Sequence, residues 1–330
     1  MALRCKKSSI QLIRSPLEGH RVKALLVTIR PQSAFGTPMA GDTLFGHLCW
    51  ALSFRKGATA FERIMDGYTD GNPFAVVSDA FPSGYLPRAS LPDALMGSDH
   101  LDPSARKALK RRQWLPREGL GLPYSEWLRQ SCSAWPGKVA TVTQNTIHRI
   151  TGTTGSGVFA PRQVEQMTFA RETLLDIHLV LDTHKLTLAD ILEALSDIGQ
   201  SGFGRDASTG LGKFEVVSAV ERNDAPNDST DFMTLAPCAP DVSKLDASRC
   251  WALPMTRFGR HGSVLAASGK PFKRPIMLAR TGAVLRLLSG PALFHGVGLG
   301  GQDAPISIAM PATVHQGFAP ILPILLDATP

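Results

Sequence analysis

No run of about 18 apolar residues occurs in this 330-residue chain, so no segment reads as a membrane-spanning helix. The polar stretch Met1 to Ser9 lacks the apolar core of a signal peptide, which sets the expectation of a chain that is not exported. Cysteines are few and scattered. Cys5, Cys49, Cys132, Cys238 and Cys250 form no C-x-x-C pair, so neither a zinc site nor a disulfide framework is indicated, and a reducing cytoplasm is the expected setting. No metal and no cofactor is required by any motif. Two familiar nucleotide loops are missing as well. A Walker loop needs four residues between its glycines and then Lys-Ser or Lys-Thr; here five residues separate Gly204 from Gly210, and Phe214 follows Lys213. The dinucleotide fingerprint fails because Ala207 stands where a third glycine would complete the series begun by Gly202 and Gly204.

What is present is a chain long enough for two domains, 43% hydrophobic and 19% charged, as a globular protein should be. A net charge of +7 and a pI near 9.3 favour an anionic partner, with nucleic acid the leading candidate. The densest feature is Gly199 to Phe214, which holds five glycines. Such density marks a loop that lets another backbone approach closely. Arg205, Ser208, Thr209 and Lys213 among the glycines add charge and hydroxyl donors suited to phosphate oxygens. A plain chain-turning loop is the competing reading.

In chain order, Arg21 to Arg30 reads as a central strand, apolar on both faces. A loop from Pro31 to Gly41 follows, and Asp42 is placed to cap a helix from Thr43 to about Phe54. That arrangement sets backbone N–H groups where an anion would bind. His47 lies roughly 130° from the centre of the helix's apolar stripe. It reads as a general base, an RNA contact or a surface residue, and no partner group for acid–base work lies nearby in the sequence. Thr59 to Tyr68 reads as a short helix and Phe74 to Ser78 as a strand; Asp79 to Pro92 is rich in Pro, Gly and Ser and is expected to be irregular. Ala105 to Arg117 carries six Lys or Arg residues and no acid, with Trp114 among them: a solvated helix face, or a basic arm for nucleic acid or an acidic partner.

Val139 to Phe169 reads as a hairpin with a glycine-rich tip, a projecting finger with His148 and Arg149 at the base of that tip. Leu174 to Asp182 reads as a strand, Thr187 caps a helix through Ile198, the glycine loop follows, and a strand runs from Lys213 to Val217. This order matches the second half of a ferredoxin-like β-α-β-β-α-β domain, with Arg21 onward supplying the first half. The expected class is α+β, with a first domain over residues 1–220, a finger at about 139–170, and a break in the polar segment Glu221 to Ser248. Beyond it, Trp251 to Arg257, Ile276 to Leu278, Ala283 to Leu288 and Ile321 to Leu326 read as strands of a smaller, mostly β domain over 221–330. Lys273 and Arg274 are either ordinary surface charges there or backbone contacts.

Six stretches together resemble the RAMP superfamily of CRISPR proteins: Ser33 to His47, Val77 to Pro87, Asn145 to Gly152, Gly202 to Phe214, Lys273 to Leu278 and Val314 to Phe318. The likeness is greatest to the fourth-subunit family of the type III-A Csm effector complex. The resemblance implies two ferredoxin-like domains, the second smaller and degenerate. It also implies a non-catalytic subunit that holds the repeat-derived five-prime handle of the CRISPR RNA, caps the backbone filament of repeating RAMP subunits, and joins it to the large polymerase-cyclase subunit. The family's glycine loop maps onto Gly202 to Gly212 and its finger onto Gln144 to Gly157.

Combining residues and resemblance, the expected RNA-binding set is Gly202, Phe203, Gly204, Arg205, Ser208, Thr209, Gly210, Gly212 and Lys213 on the loop; Phe35, Thr37 and His47 before it; Asn145, His148, Arg149 and Thr151 on the finger; and Lys273 and Arg274. Bases are expected to stack on Phe35, Phe203 or a finger residue. Two other readings stand beside this one: an endoribonuclease that processes CRISPR RNA with His47 as general base, and the repeating, target-cleaving backbone subunit.

Overall fold

The computed structural model describes residues 11–13, 21–96, 101–133, 135–155, 157–222, 229–262, 265–266 and 269–326. Residues 1–9 and the middle of the expected linker, 223–228, lie outside the described residues.

The first half runs β1 (Gln11–Ile13), β2 (Val22–Pro31), α1 (Gly41–Lys56), α2 (Ala58–Met65), β3 (Ala75–Pro82), β4 (Tyr85–Pro87), α3 (Pro103–Arg111), β5 (Trp114–Pro116), α4 (Tyr124–Arg129), β6 (Gly137–Gln144), β7 (Arg162–Phe169), β8 (Leu175–Asp182), α5 (Leu188–Ser201) and β9 (Phe214–Glu221). Its main sheet has the order β1-β9-β2-β8-β3. Strand β2 is antiparallel to both β8 and β9, and β3 is antiparallel to β8. Leaving β1 aside, β2-α1-β3-β8-α5-β9 is the β-α-β-β-α-β series with its strands in the order fourth, first, third, second. Helices α1 and α5 pack against each other on one face. Leu44, Phe45, Leu48 and Leu52 of α1 and Ile191, Leu192, Leu195 and Ile198 of α5 bury against Leu25, Val27 and Ile29 of β2. Each such side chain withdrawn from water contributes about 1.5–3 kcal/mol, before the cost of ordering the chain.

The capping of α1 differs from expectation. Asp42 is not its cap: Ala40 is, and the backbone N–H of Gly41 donates to Oδ1 of Asp79 at 2.7 Å. A carboxylate from β3 thus fills the position proposed above for an anion, and Asp42 is free to act elsewhere. Asp79 to Pro92 is also more regular than its composition suggests, because β3 continues through a register shift to Pro82 and β4 follows. The helix α5 keeps its expected cap, with Thr187 Oγ1 accepting from the N–H of Asp190.

The second half contributes β10 (Asp231–Thr234), β11 (Pro254–Arg257), β12 (Ile276–Ala279), β13 (Val284–Arg286), β14 (Phe294–Gly300) and β15 (Val314–Pro323). Four of these form an antiparallel sheet in the order β13-β10-β15-β14, while β11 and β12 pair separately. Trp251 forms an isolated bridge to Val284 of β13. Helical structure from residue 229 onward includes two short 3-10 segments, at Val242–Lys244 and Ala247–Arg249. Much of the polar stretch expected to be a linker is therefore structure. Asp231 accepts from the Arg286 guanidinium within β10 and β13, and Asp241 and Asp246 cap the two short turns.

Strand β15 seals the two halves together. The Gln316 side chain accepts from the N–H of Val77 at 2.9 Å and donates to its carbonyl at 2.8 Å, so a buried amide imitates a strand partner for β3. Phe318 places its ring edge-on to Tyr68 in the helix-covered core. A second apolar cluster joins Phe81, Leu86, Leu115, Trp127 and Leu128 to Met233, Leu235 and Leu322 of the second sheet.

Candidate nucleic-acid interface

Three stretches far apart in sequence meet at the end of α5. The first is the loop after β2. The N–H groups of Gln32 and Ser33 donate to the carbonyl of Lys213, and Ser33 Oγ accepts from the N–H of Lys213 at 2.9 Å. The second is the glycine loop, stitched to the first by Gly212 N–H donating to Ala34 O at 2.8 Å and closed on itself by Phe203 N–H donating to Gly212 O at 2.9 Å. The third is the base of the β6–β7 hairpin, where Phe35 and Met167 exchange both backbone hydrogen bonds at 2.8 Å.

Glycine is required at the crossing points. Gly212 has φ +73°, and a Cβ there would stand 2.0 Å from the carbonyl oxygen of Phe203. Gly204 has φ +75°, and a Cβ there would stand 2.1 Å from Oγ1 of Thr37. That hydroxyl is itself buried and has no hydrogen-bond partner among the described residues.

This packing reverses the expectation for the aromatic residues. Phe203 and Phe35 are wholly enclosed rather than available for stacking on bases. The flanking glycines turn the chain so that the Phe203 ring points inward, against His47 at 4.9 Å and Phe35 at 6.4 Å between ring centres. Phe35 in turn meets Phe169 edge-on at 5.3 Å. His47, off the core stripe as the helical spacing predicts, is nonetheless covered by the loop: its Nε2 accepts the N–H of Gly204 at 3.2 Å. Burial pushes its imidazole down to about 4.

Side chains left outward on the loop are Arg205, Ser208, Thr209 and Lys213. Arg205 Nη2 donates to the Glu165 carbonyl of β7 at 2.5 Å, and Nε lies 3.5 Å from Asp206. The guanidinium therefore ties the loop to the hairpin as well as offering charge to solvent. Thr209 Oγ1 donates to the Asp206 carbonyl. Neither Glu165 nor Met167 was singled out from sequence. Trp135 was the available signal: it lies two residues before β6, and its Nε1 donates to Met167 Sδ at 3.1 Å.

The finger residues stand apart from this junction. Strands β6 and β7 pair from Gly137↔Phe169 to Gln144↔Arg162. Met167 and Arg162 stand five positions apart on β7, which at strand spacing is about 17 Å, so Asn145, His148, Arg149 and Thr151 lie at the far end. Asn145, Arg149 and Thr151 are exposed; His148 Nδ1 accepts from the N–H of Thr151, and its ring meets Phe159 edge-on. Lys273 and Arg274 belong to another neighbourhood. Burial pushes the Lys273 ammonium down, with Cys49 and the Asp42 carboxylate, both on α1, pulling the other way. Arg274 is exposed, and its backbone N–H donates to Ile306 O.

Among the described residues no group of three or more His, Cys, Asp or Glu is placed to hold a metal ion, and no helix is long and apolar enough to cross a membrane. No protein-family model and no curated protein matches the chain. Solved structures do. A chain of the Csm1-Csm4 cassette in complex with pppApA aligns with a TM-score of 0.56 and 18% identity over 93% of this chain and 99% of that one. The same cassette in complex with cA4 gives 0.58 and 19% over 92% and 99%. The Csm3-Csm4 subcomplex of the type III-A CRISPR-Cas interference complex gives 0.57 and 13% over 91% and 99%. Along almost its whole length, this chain has the fold of a subunit of the Csm assemblies.

Proposed function

We propose that this chain is a non-catalytic, RNA-binding subunit of a type III CRISPR effector ribonucleoprotein, the counterpart of Csm4, the component common to the assemblies above. It holds the five-prime, repeat-derived handle of the CRISPR RNA, ends the filament of repeating RAMP subunits, and joins it to the large polymerase-cyclase subunit. The observation that carries this reading is the meeting of the loop after β2, the glycine loop and the finger base. It leaves Arg205, Ser208, Thr209 and Lys213 on one outward loop suited to phosphates, with Gly202, Gly204, Gly210 and Gly212 shaping it. On the finger, Asn145, His148, Arg149 and Thr151 are the proposed contacts; Arg274 is a secondary one, and Thr37, its hydroxyl buried, supports the loop from beneath. The protein works in the cytoplasm, with no cofactor.

The domain division proposed is 1–220 and 221–330. In the second unit, β10 lies between β15 and β13 with Trp251 bridging β13, which fits a ferredoxin-like order whose second strand is reduced to a bridge. The two short turns and β14 then take the places of its helices.

An endoribonuclease with His47 as base is disfavoured, because the Nε2 lone pair is engaged by Gly204. Native purification followed by mass spectrometry and RNA sequencing tests the proposal. One copy of this chain per complex, with repeat-derived RNA, is the expected result. Several copies per complex would identify a repeating backbone subunit, and repeat RNA cut by the pure protein would identify a processing enzyme; either overturns the proposal.

A further inference from the structure

Helix α3 carries charge that neither the core nor the site above uses. None of its nine residues is fully buried, although Leu109 touches the second apolar cluster. Its start is fixed by Asp102, which accepts from the N–H groups of Ser104 and Ala105, and its end by Arg88, which donates to the Leu109 carbonyl. Asp93 pairs with Lys110 at 3.1 Å and lies 3.9 Å from Arg106. Lys107, Arg111 and Arg112 are exposed, and among the described residues no carboxylate lies within ion-pair distance of them. Lys107 and Arg111 stand four residues apart, as do Arg106 and Lys110, which is a repulsive spacing on a helix. Packing gives no reason for this charge density, so an outside partner is the physical reason left.

Two observations favour a phosphate backbone over an acidic protein face. No large hydrophobic side chain is exposed on α3 or its flanks from 101 to 113, whereas a protein interface is anchored by a desolvated apolar centre. The segment also leads physically to the glycine loop. Two residues beyond Arg112, Trp114 stacks on Trp135 at 5.1 Å; Trp135 meets Phe169 at 6.4 Å, Phe169 meets Phe35 at 5.3 Å, and Phe35 meets Phe203 at 6.4 Å. A ladder of aromatic rings thus holds α3 in fixed relation to the proposed handle site.

We infer that the exposed cations of α3 form a second strip for the backbone of single-stranded RNA, engaged by nucleotides beyond those held at the glycine loop. This rests on the RNA-binding reading above. The strip is sequence-indifferent, because cations without base-directed groups contact only phosphates.

The test compares the full chain with a triple variant, Lys107→Gln, Arg111→Gln and Arg112→Gln, whose glutamines keep helix propensity. Affinity is measured by fluorescence anisotropy over a salt series with two RNAs: a bare handle, and the handle extended by about ten nucleotides, the length scale such grooves track. Expected is equal binding of the bare handle and, for the extended RNA, a salt slope shallower in the variant by about 0.7 per lost phosphate contact, or about two in all. Thermal stability should hold or rise as the repulsion is relieved. Identical slopes for both proteins on the extended RNA overturn the strip while leaving the handle site standing. A variant that binds both RNAs normally but fails to co-assemble with protein subunits overturns it in favour of an acidic protein face. Failure of the wild-type chain to bind either RNA removes the handle reading and the strip together.

Discussion

Gly204 donates its backbone N–H to Nε2 of His47 at 3.2 Å, while the His47 ring lies against Phe203. The histidine is a strut that holds the glycine loop on α1. Replacing it by alanine removes one hydrogen bond, worth about 0.5–1.5 kcal/mol net, and opens space beside Phe203. The expected result for His47→Ala is a lower urea midpoint with an unchanged m value, together with weaker RNA binding. A variant with wild-type stability would return His47 to the list of free RNA contacts.

The same strut has a signature in pH. The His47 imidazole is pushed down to about 4 in the folded chain by burial, against about 6.5 when unfolded. Its contribution is complete above about pH 6.5 and is lost as pH falls toward about 4, because the unfolded chain takes up the proton first. Asp79 has the opposite sign. Burial pushes its carboxyl up to about 6, against the hydrogen bonds from Thr281 and Gly41 that favour the charged form. The folded chain therefore binds this proton more tightly, and stability falls as pH rises from about 3.8 to about 6. Denaturation midpoints across pH 4–7 should show His47→Asn losing the acid-side decline relative to wild type. Asp79→Asn should gain on wild type as pH rises through the same window. Parallel curves for wild type and both variants would contradict these assignments.

The two outer glycines of the loop are not equivalent. Both have positive φ, at +97° for Gly210 and +73° for Gly212. A Cβ at Gly210 meets nothing within 4 Å, whereas at Gly212 it meets the Phe203 backbone. Gly210→Asn should therefore cost about 1 kcal/mol or less, since asparagine tolerates this conformation. Gly212→Ala should cost several times more and detach Phe203 from its core, read as a lost thermal transition or as increased amide exchange in the loop. Equal costs at both positions would show that backbone strain alone governs the loop.

The framework of the first half was legible because its signals are local: the apolar run of β2, the alternating apolar residues of β8, and the Thr187 cap followed by the helical spacing of α5. The segments misread share a different property, that their partners lie far away in sequence. Asp79 was placed in an irregular stretch because nothing beside it announces that Gly41 is its hydrogen-bond donor. Strand β10 hid in a polar segment because the carboxylate of Asp231 is matched by Arg286, 55 residues later. In the candidate site, glycine spacing located the loop, and charge located Arg205 and Lys213. The direction of Phe203 depends on the positive-φ turns around it, which composition does not reveal.

Asp42, whose side chain is completely buried, accepts from Arg257 Nε at 2.5 Å and Nη2 at 3.0 Å, with His315 Nε2 at 3.2 Å. Burial raises this carboxyl, but the neighbouring His315 imidazole and the Arg257 guanidinium outweigh it and hold the group below the usual carboxylate range. One carboxylate in the first turn of α1 thus joins the first half of the chain to β11 and β15. Arg257→Met leaves it buried without its guanidinium partner, with only Thr43 and His315 beside it, a change that costs about 3–5 kcal/mol where a buried pair is broken. Adding Asp42→Asn removes the stranded charge, so the double variant should be more stable than Arg257→Met alone. A double-mutant cycle by chemical denaturation measures the coupling, and simple additivity would mean that Arg257 and Asp42 act independently. Because Asp42 lies just after the loop that carries Phe35 and Thr37, Arg257→Met should also weaken RNA binding, and Asp42→Asn should restore part of it.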